Sequence, residues 1–561
     1  MDRIDFLGFV LLLRDISRLD RYSTRQKKGH LYTTHKTGPP IASRMSLYVV
    51  GLDGLTFDLV DRWIDSLPNL RALKQGGAAT SLNSVHPPIT GPAWMSIYTG
   101  LDPSVFNRYH FNHFNPDDRS FSATSRSGLG YEYFWERLDD ERICLLNLPM
   151  TYPPSDQDNT IVCGHMGAPG SVVTKPDSLT DDLAAAGVEL AYHDLTETSK
   201  TDPDAFMSEG TRQFEVMSDA WHVLEDRDSW DLFFGQFSVA DWAHHFLWDD
   251  LKTSSDPHLR KIYQRIDSFI GDVRDKLGPD DDLVIVSDHG GGNCKGVIYL
   301  NELLRREGLL VLENDGGSVS NQVFNRLDIT KSTIEKYDVL NLLEYVREHV
   351  PARIKSSIPT EGSGRAFASL VNSHSIDWRA SSAYVLSDGL LFCDGAAIDL
   401  IENYLETRGL SVDFVDLQCE YTTDSTQMPD YVVYIEDLAF EIKDDVFTND
   451  IVAYDPDSHS HQGSHRRNGV FIGHGPSFET CGFSKTNAWL PDIAPTLLAV
   501  LGRDIPEAMT GDPLINLLDD HALADRQPER ISYSIKSDTD KLSRSEEQQV
   551  NERLQNLGYL K

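Results

Sequence analysis

Short, largely apolar runs alternate with segments of helical spacing along most of this chain. Residues 231–239 and Asp282–Val286 are two such runs, and the helical segment 259–277 lies between them. A strand that is apolar on both faces must be covered on both faces. The pattern therefore predicts an α/β fold with a doubly wound, mostly parallel sheet and helices on both of its faces. Functional groups in such folds lie beyond the carboxyl ends of the strands.

The alternation starts just after Met45 and returns near the end of the chain. Leu47–Leu52 is an apolar strand candidate, and residues 56–75 follow it with the 3.6-residue rhythm of one helix. Residues 468–472 and 492–501 repeat this order of strand and helix. Both ends of the alternation therefore belong to one core.

The domain organisation follows from where this alternation is interrupted. Residues 301–450 are less regular, and we interpret them as an insertion that forms a cap on a core of residues 45–300 and 451–520. In the tail, 521–561, a capping box and three apolar residues on one face predict a helix over 545–558.

Residues 1–44 differ from the rest in charge. They carry nine basic and four acidic residues, a charge of +5, which leaves -41 for the remainder of the chain. This change of sign just before Met45 predicts an appended or disordered segment, or a start codon assigned too early. A basic docking arm is the alternative.

Acidic residues are in excess over the whole chain, with 87 Asp and Glu against 51 Lys and Arg and a formal charge of -36. Such a surface stays hydrated in concentrated salt, which favours a halophilic, haloarchaeal-like protein. No basic stripe is available to neutralise many phosphates, so a nucleic acid polymer is not an expected partner. The excess of acidic residues does not exclude a small anionic substrate, because a bound metal ion can dominate the electric field around its own site.

The cysteines and the apolar runs bear on location. The six cysteines lie far apart, without the short spacing of a zinc knuckle or a redox motif, which favours reduced thiols and a cytoplasmic protein. The apolar run at 6–13 is too short to cross a bilayer, so we expect no membrane segment.

Asp53 and Thr90 are the first two candidate functional residues. Asp53 stands at the end of the first core strand, in Gly-Leu-Asp-Gly. Thr90 lies just before Pro92, a residue suited to the first turn of a helix. The amino end of a helix binds phosphoryl groups, although a plain helix cap is the alternative for Thr90.

Asp241 and His245 form a second candidate pair. The spacing i, i+4 places them on one face of a helical turn, close enough to share a cation, whereas His244 points elsewhere. Neighbours on a protein surface are the alternative for this pair.

Asp288 and His289 follow an apolar strand and precede three glycines, which we interpret as a turn. Adjacent carboxylate and imidazole groups at a strand end are a plausible pair of metal ligands, with a capped turn as the alternative. Further along, His465 precedes another apolar strand.

Taken together, these segments resemble one family. The chain from Met45 on is similar to the type I phosphodiesterase and nucleotide pyrophosphatase branch of the alkaline phosphatase superfamily. The motifs that carry the resemblance are GLDG at 51–54, PPITGPAW at 87–94, YTG at 98–100, PMTYPP at 149–154, DWAHH at 241–245, VSDHGGG at 286–292, IDW at 376–378, GSHRRNG at 463–469, DIAPT at 492–496 and LGY at 557–559.

The resemblance implies an alkaline-phosphatase-like core with two divalent metal ions, zinc or manganese. One ion would be held by Asp53, Asp288, His289 and Thr90, and the other by Asp241, His245 and His465. Thr90 would be the catalytic nucleophile, forming a phosphothreonine intermediate during hydrolysis of phosphoric diesters or nucleotide pyrophosphate bonds. The implied substrate is a small phosphorylated molecule such as a nucleotide or a nucleotide-sugar.

The chain departs from the family pattern shortly after Thr99 and Gly100. Phe106 and Asn107 stand where relatives usually have His-Gly. Contacts to a phosphate or leaving group are therefore predicted from Asn107, Arg108, His110 and His165, with ordinary surface polar residues as the alternative for each. Sulfatase chemistry is disfavoured. Sulfatases need a Cys or Ser nucleophile followed by an arginine, whereas Thr90 is followed by Gly-Pro-Ala-Trp. Phosphoryl transfer to an alcohol, phosphomonoesterase activity and a non-catalytic metal-binding relative remain open.

Overall fold

The computed structural model describes residues 45–556 except 118, 128, 156–159, 165, 167, 169–171, 192–194, 196, 313–375, 394, 422, 424–426, 455–460, 521–527 and 533–542. Three features discussed above thus lie outside the described residues: the segment 1–44, His165 and the motif at 557–559.

The strands of the described residues are β1 Leu47–Leu52, β2 Ala78–Asn83, β3 Asn112–Asn115, β4 Ser120–Ala123, β5 Ile143–Leu148, β6 Thr160–Cys163, β7 Thr174–Lys175, β8 Leu232–Phe237, β9 Asp282–Val286, β10 Gly290–Asn293, β11 Gly296–Tyr299, β12 Ala383–Leu386, β13 Leu390–Cys393, β14 Val412–Asp416, β15 Tyr431–Ile435, β16 Phe440–Lys443, β17 Val452–Ala453, β18 Gly463–Arg466, β19 Asn468–His474, β20 Gly482–Phe483, β21 Ile505–Pro506 and β22 Arg530–Ile531. The α-helices are α1 Phe57–Arg62, α2 Pro68–Gly76, α3 Thr90–Thr99, α4 Pro103–Phe106, α5 Leu179–Ala185, α6 Glu197–Thr201, α7 Pro203–Glu209, α8 Arg212–Glu225, α9 Val239–Leu247, α10 Asp250–Thr253, α11 His258–Arg274, α12 Leu300–Arg306, α13 Ala396–Glu406, α14 Leu417–Glu420, α15 Ile493–Val500 and α16 Arg544–Asn556.

The largest sheet among the described residues has nine strands, in the order β20-β2-β19-β9-β1-β8-β5-β6-β7. The strands from β9 to β6 are parallel to one another. In contrast, β19 is antiparallel to both β2 and β9, and β7 is antiparallel to β6. The predicted α/β fold with a mostly parallel sheet is confirmed. The reversed direction of β19 was not predicted, because an apolar run carries no information about strand direction.

Alternate residues of β1 belong to two different cores, which explains why the strand is apolar throughout. Leu47 and Val49 are buried in a cluster with side chains of α3 and α15. Val50 and Leu52 are buried on the opposite face, in a cluster with side chains of α8 and α11. The sheet is therefore covered on both faces.

The prediction of one continuous helix over 56–75 is wrong. α1 ends at Arg62, a 3₁₀ turn follows over Ile64–Ser66, and α2 begins at Pro68. Pro68 has no N–H to donate and disfavours helical backbone at Leu67, so a new helix starts there.

A second sheet lies within the span 301–450, which we predicted to form a cap. It is antiparallel, with the order β12-β13-β15-β14. Together with α12 and α13 it encloses its own buried cluster, which includes Val385, Ile401 and Val433. Because residues 313–375 lie outside the described residues, the extent of the cap stays a prediction.

The last described helix, α16, contacts the main body of the fold. Its Val550 and Leu554 are buried in the same cluster as α3, and Tyr152 donates a hydrogen bond to Glu546 at 2.7 Å. No helix in the described parts of the chain, α16 included, has both the length and the apolar character needed to cross a membrane.

Candidate metal centre

Three candidate ligands follow neighbouring strands of the central sheet. Asp53 comes directly after β1, while Asp288 and His289 come shortly after β9, which pairs with β1 in parallel. All three are fully buried. The N–H of Gly54 donates to Asp288 Oδ1 at 3.2 Å and ties the two strand ends together. Adjacent parallel strands thus bring these side chains to one edge of the sheet.

Thr90 joins these three residues, and we name the four the Asp53 group. Thr90 Oγ1 lies 3.4 Å from His289 Nε2. The same nitrogen lies 3.4 Å from Asp53 Oδ1 and 3.4 Å from Asp288 Oδ2. Thr90 is the first residue of α3, after a cap position occupied by Ile89, and no side chain caps the helix. The alternative that Thr90 serves as a helix cap is therefore wrong.

Asp241, His245 and His465 form a second cluster, the Asp241 group. Asp241 and His245 lie one turn apart on α9, with 3.3 Å between Asp241 Oδ1 and His245 Nε2. His465, on β18, places its Nε2 3.2 Å from His245 Nε2 and 3.6 Å from Asp241 Oδ1. His244 instead points away from the group, toward the hydroxyl of Tyr263 at 2.9 Å.

The three glycines after His289 form a strand rather than the predicted turn. β10 pairs antiparallel with β18, so that Gly291 stands opposite His465. A Cβ at Gly291 would lie 2.1 Å from His244 Nδ1, which shows how closely this ladder approaches α9. Glycine is required here for the close approach of backbone to imidazole. The β10–β18 ladder therefore brings His465 to the other candidate ligands.

All three candidate histidine ligands are oriented in the same way. Nδ1 of His289 lies 3.0 Å from the Gly290 carbonyl oxygen, Nδ1 of His245 lies 3.1 Å from that of Gly463, and Nδ1 of His465 lies 2.8 Å from that of Pro88. A carbonyl only accepts, so each Nδ1 carries a proton and donates. This arrangement leaves Nε2 available as a ligand and fixes the ring, as is usual around protein-bound metals.

The distances within the two groups fit a bound cation. Ligand atoms at the corners of a tetrahedron with zinc bonds of about 2.0–2.1 Å lie roughly 3.3–3.4 Å from one another. The three ligand atoms of the Asp241 group lie 3.2 to 3.6 Å from one another, and His289 Nε2 lies 3.4 Å from each of its three partners in the Asp53 group, all close to that value. In addition, one oxygen each of Asp53, Asp241 and Asp288 is buried without a hydrogen-bond partner. Buried, unpaired carboxylate oxygens are costly unless a cation compensates them.

Electrostatics lead to the same interpretation. Burial raises the pKa of Asp53 well above its usual value, and repulsion from Asp288 and Asp241 raises it further. Burial likewise raises the pKa of Asp288. Burial by itself lowers the pKa of His245, but the adjacent Asp241 raises it overall. A bound cation would relieve the repulsion among the carboxylates.

The predicted substrate contacts have hydrogen-bond partners outside these groups. No hydrogen bond or ion pair in the described residues links Asn107, Arg108 or His110 to the candidate ligands. Asn107 Nδ2 donates to Gln427 Oε1 at 2.9 Å, and Arg108 Nη1 donates to the carbonyl of Asn107 at 2.9 Å. His110 Nε2 lies 2.8 Å from Asp388 Oδ2, in the connection between β12 and β13. Substrate contact by these residues stays a prediction, and His165 lies outside the described residues.

One buried residue that supports the site was missed by the sequence analysis. Gln236, at the carboxyl end of β8, donates from Nε2 to Asp53 Oδ2 at 3.0 Å. This hydrogen bond occupies Oδ2 and turns Oδ1 toward His289. Asn147, near the carboxyl end of β5, donates in turn to the Gln236 carbonyl oxygen at 3.0 Å. A glutamine inside an otherwise apolar strand was the available signal.

Comparison with known proteins gives one family match. A family model described as type I phosphodiesterase/nucleotide pyrophosphatase matches residues 47–382. Solved structures that align with the chain include murine ectonucleotide pyrophosphatase/phosphodiesterase 5, also as an inactive variant in complex with AMP, and the human protein of the same name. Each of these structures is 14% identical in sequence to this chain, with a TM-score of 0.45. Each alignment covers 85% of this chain and 100% of the chain in the solved structure. A search of curated proteins finds none that matches this sequence.

Proposed function

The chain belongs to the type I phosphodiesterase/nucleotide pyrophosphatase family, and we propose that it hydrolyses phosphoric diesters or nucleotide pyrophosphate bonds with two metal ions and a phosphothreonine intermediate. One observation carries the proposal: the buried Thr90 hydroxyl lies 3.4 Å from His289 Nε2, beside two buried carboxylates.

Two divalent ions would be held by the Asp53 group and the Asp241 group. Mixed carboxylate and imidazole ligands suit zinc, and manganese is the alternative. When bound, such ions lower the pKa of a coordinated hydroxyl and neutralise charge on phosphoryl oxygens. The carbonyls of Gly290, Gly463 and Pro88 support this role, because they keep the proton of each imidazole on Nδ1.

In the first step, Thr90 Oγ1 attacks the phosphorus of the substrate. The Oγ1–P bond forms and the bond from phosphorus to the leaving oxygen breaks, in line with the attack. The threonine proton passes through water to the leaving group. Thr90 is suited to this role because it begins α3, where free N–H groups and the positive end of the helix face an incoming anion.

In the second step, water hydrolyses the phosphothreonine. A P–O bond to the water oxygen forms, the P–Oγ1 bond breaks, and one water proton returns to Oγ1. A threonine hydroxyl whose pKa is lowered by coordination would need no Ser-His-Asp type base to act as nucleophile.

The experiment is hydrolysis of bis(4-nitrophenyl) phosphate by metal-free protein before and after addition of zinc or manganese. We expect turnover only with added metal, and nucleotide-sugars and dinucleotides then rank the natural substrate class. Product analysis in the presence of an alcohol tests the alternative of transfer, since transfer would yield a new phosphoric ester. Stoichiometric metal without turnover of any phosphoric ester would refute the proposed activity.

Two features outside the site support the proposed setting of the enzyme. No disulfide bond joins the six cysteines, which all lie in the described residues and include the buried Cys144, Cys163 and Cys294, and this supports the proposal of a cytoplasmic protein. The net charge of -36 supports the proposal that the protein works in concentrated salt.

A further inference from the structure

Two tyrosines distant in sequence, Tyr421 and Tyr434, hold the segment between β2 and α3 by hydrogen bonds to His86. The Tyr421 hydroxyl, directly after α14, accepts a hydrogen bond from the His86 N–H at 2.7 Å and donates to the His86 carbonyl oxygen at 3.2 Å. The Tyr434 hydroxyl, from β15, lies 2.8 Å from His86 Nδ1. Backbone and side chain of one residue, four positions before Thr90, are thus fixed by two phenols.

Both phenols are buried, and within the described part of the chain their hydroxyls make hydrogen bonds to His86. Tyr421 is 6% exposed and Tyr434 is 1% exposed, in a cluster that also contains Tyr109 and Leu417. A buried hydroxyl must find its partner inside the protein. Phenylalanine would fill the same apolar space, so the hydroxyls are explained by His86 rather than by packing.

The same segment contacts the Asp241 group at its other end. The carbonyl oxygen of Pro88, two residues after His86, accepts the hydrogen bond from His465 Nδ1 at 2.8 Å. Two residues further on, Thr90 Oγ1 faces His289. Residues 86–90 therefore connect the two tyrosines with one member of each ligand group.

We propose that Tyr421 and Tyr434 are positioning residues that set the separation between Thr90 and His465. Displacement of reacting groups by about 1 Å is enough to reduce a rate on the order of 100-fold, so the anchoring of this segment matters for turnover. The proposal rests on the proposed function for its kinetic consequence, whereas its structural consequence, the placement of His465, applies to metal binding alone.

The test is the full-length Tyr421→Phe, Tyr434→Phe double variant, compared with the wild type. Zinc affinity, measured by competition with a chromophoric chelator, should fall about tenfold for one of two ions, because His465 loses the fixed position of its carbonyl partner. For bis(4-nitrophenyl) phosphate, kcat should fall roughly 10- to 100-fold while KM changes less than about threefold. If the wild type binds two ions but hydrolyses no phosphoric ester, the proposed function fails and the zinc comparison still tests the positioning.

Tyr431→Phe is the matched control, because it removes a phenolic hydroxyl from the opposite face of β15.

A double-mutant cycle of Tyr434→Phe with His86→Phe covers the case in which the double tyrosine variant does not fold. The two substitutions remove the same contact, so their effects on kcat should not add. Wild-type zinc affinity and kcat in the folded double variant, additive effects in the cycle, or an equal loss in Tyr431→Phe would each overturn the proposal.

Discussion

His245 Nε2 and His465 Nε2 lie 3.2 Å apart, although 220 positions separate the two residues in the chain. Each imidazole directs its other nitrogen to a backbone carbonyl, and Asp241 Oδ1 lies within 3.6 Å of both Nε2 atoms. One proton can serve only a single pair among these three atoms. A cation can bind all three at once, which is why this relationship argues for a metal site.

Removal of divalent ions should abolish phosphodiesterase activity and lower the melting temperature. Without cations, Asp53 and Asp288 remain buried beside each other, and one oxygen of each lacks a hydrogen-bond partner. Ligand binding at 100 times its Kd stabilises the folded state by about 2.7 kcal/mol per site, so zinc or manganese should restore the melting temperature. Differential scanning calorimetry after chelation, with metal content measured in parallel, checks this. An unchanged transition in fully metal-free protein would contradict it.

Replacement of Thr90 tests the nucleophile. Thr90→Ala should leave the fold and six metal ligands in place, yet reduce kcat by several orders of magnitude, toward the ~10⁶ seen when a hydrolase loses its nucleophile. Thr90→Ser is the matched control, because it keeps the hydroxyl and loses only the stiffness of the β-branched side chain. Steady-state kinetics with a reactive diester provide the measurement. If Thr90→Ala retains activity within about tenfold of the wild type, direct attack by water would replace the two-step scheme.

The sequence predicts the local part of the site well. Asp241 and His245 share a helix face because the helical repeat is a local property, and the structure places them on consecutive turns of α9. Asp53 and Asp288 stand at the ends of β1 and β9, where the apolar runs stop. In each case, a short stretch of sequence contains the information.

The remaining part depends on pairing between distant segments. His465 reaches the other candidate ligands because β18 pairs with β10, a strand that its glycines led us to predict as a turn. The break at Pro68 was missed because the apolar rhythm continues through it. Gln236 was missed because its role exists only once β8 lies beside β1. Register and strand neighbours are properties of the folded chain and not of either segment alone.

Gln236→Leu should weaken metal binding at the Asp53 group. The substitution removes the hydrogen bond that occupies Asp53 Oδ2, so the carboxylate is free to rotate away from His289. Loss of such an outer-shell partner typically costs 10- to 100-fold in metal affinity, and we expect about that decrease for one ion. Isothermal titration with zinc measures it, and the Asp241 group provides an internal control. Equal loss at both sites would indicate general destabilisation instead.

His86 should make stability depend on pH. Burial, assisted by the nearby Arg467, lowers its pKa to about 4. Between that value and the usual histidine pKa of about 6.5, the unfolded chain binds a proton that the folded protein does not, so stability falls as pH decreases. His86→Gln removes this term, and the wild type should lose up to ~1.4 kcal/mol more per pH unit in that window than the variant. Urea denaturation at pH 7, 6 and 5 compares them, and identical pH slopes would argue against a neutral buried His86.

Salt should stabilise the folded chain. After residue 44 the sequence carries 83 acidic and 42 basic residues, so like charges are crowded over the folded surface. The Debye length shrinks from about 10 Å at 0.1 M to about 3 Å at 1 M, which screens this repulsion. We therefore expect the melting temperature to rise steadily between low and molar KCl. At pH 4.5, close to the usual carboxyl pKa of about 4, fewer carboxylates are charged and the same titration should have a smaller slope. A melting temperature that does not respond to KCl at pH 7 would show that carboxylate repulsion does not limit stability, and the halophilic interpretation would then be wrong.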